Sequence, residues 1–185
     1  QLGLKAGDCI AGLLPRSPEL LVTIFATWRI GAVYQPLFTA FESKAIEHRI
    51  QTAKTQLIVT NTQQRPKLNA LSDVKILTVD AANQNQNYDA DFWQVLTIQD
   101  SHFETVYRSF EDDFLMMFTS GTTGLAKSVP VPLKAIVAFK GYMQHAVDLR
   151  AEDSFWNLAD PGWAYGLYYG ITGPLGLGDR KSTRL

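Results

Sequence analysis

Four hydroxyls, two glycines and one lysine crowd into Thr119-Ser120-Gly121-Thr122-Thr123-Gly124-Leu125-Ala126-Lys127, directly behind an apolar run over 114–118. Glycines permit a tight turn that brings backbone N–H groups close to an anion. Hydroxyls add short hydrogen bonds, and a lysine adds a mobile positive charge suited to phosphate oxygens. A helix beginning beyond the loop would turn its positive end toward the same point. Read this way, the stretch is a cradle for a nucleotide's phosphates. The plainer alternative is a Gly/Thr turn between a strand and a helix.

Other chemistries find little support. His48, His102 and His145 are scattered along the chain. His48 stands beside Glu47 on an expected helix and reads as surface-facing, while His145 falls late in a helix without a carboxylate at fixed spacing. No Ser-His-Asp or metal-ligand cluster emerges. Cys9 is the only cysteine, so no internal disulfide or thiolate zinc site can form. It reads as a core thiol in a reducing cytoplasm. Seventeen basic residues against eighteen acidic ones leave a net charge of -1 and no basic stripe for nucleic acid outside the last six residues. No apolar run reaches membrane-spanning length, and the opening Gln1-Leu2-Gly3-Leu4-Lys5-Ala6-Gly7-Asp8 lacks the layout of a signal peptide.

The elements that must position the loop are legible around it. Cys9-Ile10-Ala11-Gly12-Leu13-Leu14 reads as a buried strand. Ser17-Pro18-Glu19 then starts a helix with a capping hydroxyl, a first-position proline and an acid. Leu21, Ile24, Phe25 and Trp28 give that helix its apolar spacing, and Gly31 ends it. Val33-Tyr34-Gln35-Pro36-Leu37 is extended. Thr39 with Glu42 fits a capping box for a second amphipathic helix through Ala45, Ile46, Arg49, Ile50 and Ala53. Strands follow at 57–60 and 74–79. The polar tract 81–91 reads as a surface loop, with a short helix at 92–96. Pro130 and Pro132 bar a helix interior, so the helix after the glycine loop starts near Pro132 and runs through Leu133, Ile136, Val137, Met143 and Val147. A strand at 154–159 is expected to deliver Asp160-Pro161-Gly162-Trp163 as a loop, with Asp160 capping its own turn. Alternating strands and helices with continuous β-branched runs predict an α/β fold, a mostly parallel sheet flanked by helices.

Gly121 to Ser128 also stands one residue from G-x-x-x-x-G-K-[ST], with Ala126 at the second glycine, which keeps a P-loop-like nucleoside triphosphatase as an alternative. The fuller match is to another family. Thr119-Ser120-Gly121-Thr122-Thr123-Gly124-Leu125-Ala126-Lys127 resembles the T-S-G-T/S-T-G-x-P-K-G signature of adenylate-forming enzymes, with Ala126 for its proline and Ser128 for its last glycine. Arg29-Ile30-Gly31-Ala32-Val33-Tyr34-Gln35-Pro36-Leu37 resembles a further block of that family, and Trp156-Asn157-Leu158-Ala159-Asp160-Pro161-Gly162-Trp163 with Gly173-Pro174-Leu175 resembles its short- and medium-chain acyl-CoA synthetase branch, acetyl-CoA synthetase included. The resemblance implies a partial N-terminal ATP/acyl-binding domain over 1–178. It also implies an AMP-forming ligase using a small carboxylic or fatty acid, ATP, Mg2+ and coenzyme A. Thr119, Ser120, Thr122, Thr123 and Lys127 would contact phosphate oxygens, Lys127 and Thr119 being the catalytic candidates. Gly121 and Gly124 would supply backbone approach, and Trp163, Ala164 and Tyr165 would wall the acyl group.

The family's aromatic-Gly-x-Thr-Glu block, its ribose-binding aspartate and its small C-terminal domain have no counterpart in these 185 residues. The chain does not open on Met, and Asp179-Arg180-Lys181-Ser182-Thr183-Arg184-Leu185 turns polar where the family has a hydrophobic strand. It reads as a truncated piece, inactive alone, with 179–185 an atypical, vector-derived tail. The truncated surface should favour self-association. A non-catalytic module with an adenylating fold is the remaining alternative.

Overall fold

A computed structural model describes residues 2–80, 90–119 and 124–178. Its centre is β1 (Cys9–Leu13), fully buried and paired in parallel on both sides, with β2 (Val33–Pro36) and with β3 (Leu57–Thr60). Beyond β3 lie β4 (Lys75–Thr78) and the two-residue β5 (Ala90–Asp91), both parallel. Beyond β2 lies β6 (Asp113–Thr119), also parallel, and then β7 (Lys127–Pro132), antiparallel to β6. The seven-stranded order is β5-β4-β3-β1-β2-β6-β7, the mostly parallel α/β sheet that the sequence predicts.

Side chains alternate across the sheet and build two cores. Ile10, Leu57, Val59 and Leu77 face one layer with Leu20 and Ile24. Ala11, Leu13, Ile58 and Ile76 face the other with Ile46, Ile50 and Leu68. Continuous apolar strands are what a sheet covered on both faces requires.

Helix α1 (Pro18–Arg29) starts as its sequence dictates: the Ser17 side chain accepts from the Leu20 N–H at 3.4 Å, with Pro18 in the first turn. It ends at Gly31, whose φ of +71° lets its N–H reach Trp28 O and the Ala32 N–H reach Thr27 O. The buried stripe is Leu20, Thr23, Ile24 and Thr27, rotated from the expected Leu21, Ile24, Phe25 and Trp28. The threonines can face the core because each hydroxyl donates to the carbonyl four residues back, Thr23 to Glu19 and Thr27 to Thr23, both at 2.7 Å. Phe25 is left exposed, while Trp28 donates its indole N–H to Phe114 O at 3.1 Å.

Helix α2 (Ser43–Ala53) buries Ile46 and Ile50 as expected, but the Thr39–Glu42 capping box does not form. Glu42 is the cap residue without a side-chain bond, and the Thr39 carbonyl accepts from Lys67 Nζ at 2.6 Å. Helix α3 (Phe92–Thr97) follows β5, its first turn held by Asp91. The loop expected at 81–91 therefore gives way to strand at Ala90–Asp91, its remainder lying outside the described residues. Helix α4 (Ala135–His145) begins three residues after Pro132. The run 154–159 is no strand, because its carbonyls go elsewhere. The Arg16 guanidinium donates to Asn157 O at 2.9 Å and to Ala159 O, two acceptors that a strand neighbour would otherwise engage. Helix α5 (Ala164–Leu167), a wider turn over Tyr168–Thr172 and helix α6 (Gly173–Gly176) close the described chain.

Gln35, in β2, is fully buried, and its side-chain oxygen accepts from Thr55 Oγ1 and from the Cys9 thiol. Burial pushes that thiol up from 9.0 to about 11. An unfolded chain ionises Cys9 first, so stability present below pH 9 is lost as pH rises toward 11, by roughly 2–3 kcal/mol. Guanidinium unfolding midpoints of the wild type should fall across that window, and Cys9→Ala should flatten the fall. Ser17→Ala should lower stability by about 0.5–1 kcal/mol in the same unfolding experiment, with Ser17→Asp restoring it.

Candidate functional site

Where β2 and β6 end, the sheet opens into a cavity of about 140 Å³. Pro36 closes one side and Met117, Phe118 and Thr119 another, with Phe41, Arg49, Trp163 and Ala164 completing the wall. The carboxyl ends of parallel strands are where ligands enter such sheets, since the chain reverses direction there across β1. Among the described lining residues there is no carboxylate, and Arg49 is the one charged side chain, with Thr119 and Tyr168 carrying hydroxyls.

Thr119 and Lys127 face each other as the outermost pair of the β6–β7 ladder, both exposed. They are the two stems of the glycine loop. Gly124 has a φ of +94° on the return side. Ser120, Gly121, Thr122 and Thr123, also named from the sequence, lie outside the described residues. A strand rather than a helix comes first after the loop. Lys127 opens β7, whose Pro130 and Pro132 are tolerated because the strand ends the described sheet. A P-loop needs strand, loop and then helix, so strand after loop removes the nucleoside triphosphatase alternative.

Arg49 reaches the cavity from α2. Its guanidinium lies 4.1 Å from the Phe41 ring centre and 5.6 Å from that of Phe118, and Nη1 donates to Ala45 O at 2.8 Å. The aromatic faces offset part of the cost of burying the charge, yet burial still pulls Arg49 below its ordinary pKa. Gln35 Nε2 holds the Arg49 carbonyl at 3.1 Å, tying this turn of α2 to β2. His48, read as surface-facing, is half-buried instead, with Nε2 2.8 Å from Ala126 O beside Lys127. That contact joins positions 78 residues apart, and no local pattern announces it.

Trp163 and Ala164 line the cavity, brought there by the Asp160 turn. Asp160 Oδ1 accepts the Gly162 N–H at 2.7 Å, the capping role expected of it. Gly162 must be glycine, because a Cβ there would stand 2.6 Å from Phe38 Cα. Trp163 remains 47% exposed and packs on Phe38 and Phe41, each with ring centres 5.5 Å away. Tyr165, grouped with these two from the sequence, is not among the lining residues; it meets Tyr169 edge to face at 5.1 Å. Tyr168 does line the cavity, stacks on Phe139 at 4.3 Å and is pushed up to about 12 by burial. An apolar slot beside a hydroxyl and two cations suits a molecule with one apolar and one anionic part.

The chain matches the family described as AMP-binding enzyme over residues 1–180. The acetyl-coenzyme A synthetase of Bacillus subtilis is 31% identical over 178 residues, covering 92% of this chain and 30% of that protein. The crystal structure of a Brucella canis acyl-CoA synthetase superposes with a TM-score of 0.90 at 52% identity, over 95% of this chain and 32% of the other. The anthranilate CoA ligase AuaEII, solved with anthranoyl-AMP, shares the fold at a TM-score of 0.88 and 20% identity, over 96% of this chain and 35% of the other. The chain thus spans about 30% of the length of the curated relatives it matches. Sheet order, the β6–loop–β7 hairpin and the matched 1–180 span agree: the chain belongs to the AMP-binding enzyme family, among the acyl-CoA synthetase-like ligases.

Proposed function

We propose that these residues supply the triphosphate loop and part of the acyl wall of an AMP-forming carboxylate–CoA ligase. The observation that carries the reading is the pairing of Thr119 and Lys127 at the loop stems beside a cavity walled by Trp163 and Ala164. In the first half-reaction a carboxylate oxygen attacks the α-phosphorus of ATP and pyrophosphate leaves, giving an acyl-adenylate. In the second the coenzyme A thiolate attacks the acyl carbonyl and AMP leaves. Lys127 and the loop hydroxyls Thr119, Ser120, Thr122 and Thr123 contact the β- and γ-phosphates, with Gly121 and Gly124 allowing close backbone approach. Charge that builds on the departing pyrophosphate is met by those fixed donors. Trp163 and Ala164 hold the acyl group out of water.

Among the described residues no three carboxylate, imidazole or thiolate side chains converge. Magnesium would arrive as the nucleotide's companion and neutralise part of the phosphate charge. The buried Cys9 thiol suits a cytoplasmic setting.

The 185-residue chain is expected to give no pyrophosphate–ATP exchange with a panel of short carboxylates, while a version extended to its relatives' length exchanges and forms AMP. Sustained exchange by the short chain with clean controls would overturn the inactive-alone part. ADP and phosphate as the products of the longer protein would overturn the ligase. Trp156 and Leu158, 66% and 72% exposed, support self-association of the short chain. Sedimentation velocity should show a concentration-dependent shift to dimer or larger, reduced in Trp156→Ser.

A further inference from the structure

The peptide between Ala126 and Lys127 is a rigid plane, so whatever fixes its carbonyl also fixes how Lys127 leaves it. That carbonyl lies one residue beyond Lys127's pairing with Thr119, the outermost ladder pair of the described residues. The group beside it is His48 Nε2 at 2.8 Å. A carbonyl oxygen only accepts, so the ring nitrogen donates, which both the Nε2–H tautomer and the imidazolium can do. The residue next to His48 grips the opposite stem, since the Arg49 guanidinium lies over Phe118, immediately before Thr119. Helix α2 itself is anchored below by Gln35 Nε2 on the Arg49 carbonyl. Two successive side chains of one helix therefore hold the entry and the exit of the glycine loop.

Resting on the ligase reading above, we propose that His48 is a positioning residue for polyphosphate binding, acting by pinning the Ala126 carbonyl and thereby aiming Lys127. Without the pin only the last ladder pair restrains the exit peptide, and the lysine samples directions in which its charge is lost to the nucleotide.

The test uses the 185-residue chain with MgATP as probe in calorimetry, amide hydrogen exchange over 124–128, and thermal melting. His48→Ala should weaken MgATP by about 3- to 10-fold, the effect of one lost hydrogen bond, and speed exchange at 124–128. His48→Leu, which keeps bulk without a donor, should behave the same. His48→Gln, whose amide can donate across a similar reach, should return affinity to within about twofold with slow exchange. Thermal midpoints should stay together, which separates positioning from global stability. Equal affinity in wild type and H48A, or H48Q as weak as H48A at an unchanged midpoint, overturns the proposal. A wild-type chain that binds no MgATP would fault the phosphate reading instead. Exchange alone then decides on His48: unchanged protection in H48A overturns the pin, while acceleration reversed in H48Q upholds it.

Discussion

Strand β1 yields both of its edges to parallel neighbours and both of its faces to apolar layers. A strand so placed cannot leave one backbone group unpaired, because water reaches none of them. Helices α1 and α2 pack on opposite faces: α1 carries the chain from β1 to its neighbour β2, and α2 carries it back across β1 to β3. Carrying α2 across β1 opens a crevice at the strands' carboxyl ends. The cavity and the loop stems both stand at that end, so the burial of β1 decides where chemistry can sit.

Side chains repeatedly take the place of missing backbone partners. Arg16 serves two carbonyls of a segment that has no ladder. Gln35 bridges β2, β1 and α2 through Cys9, Thr55 and the Arg49 carbonyl. His48 caps a carbonyl at the lip of a hairpin. Each side chain is planar or forked and is held by packing, so each fixes direction as well as distance. Apolar burial supplies the bulk of the stability, while these polar fasteners set the geometry at the strand ends.

Most of the fold was legible because its signals are local. The β1, β3 and β6 runs, the Ser17-Pro18-Glu19 start and the Gly31 stop all follow from neighbouring residues. The loop stems Thr119 and Lys127 and the cavity residues Trp163 and Ala164 could be named from motif alone. Errors arose where a distant partner overrode a local preference. Residues 154–159 have a strand's composition, yet Arg16 takes their carbonyls, and its position 141 residues earlier gives no warning. Threonines in α1 outcompeted Leu21 and Phe25 for the core because their hydroxyls found partners within the helix. His48 was misjudged for a related reason, as its partner is a backbone oxygen, and any residue carries one.

Separation along the chain also orders events during synthesis. Strands β1 to β4 are complete by Thr78 and can pair as soon as that length leaves the ribosome. Arg16 must wait until Asn157 and Ala159 emerge before its guanidinium finds both acceptors. Contacts that close such long spans come late in folding. The nascent protein therefore owns a sheet well before it owns a binding cleft, and the clasp at Arg16 marks the moment at which the wall carrying Trp163 locks onto the older half.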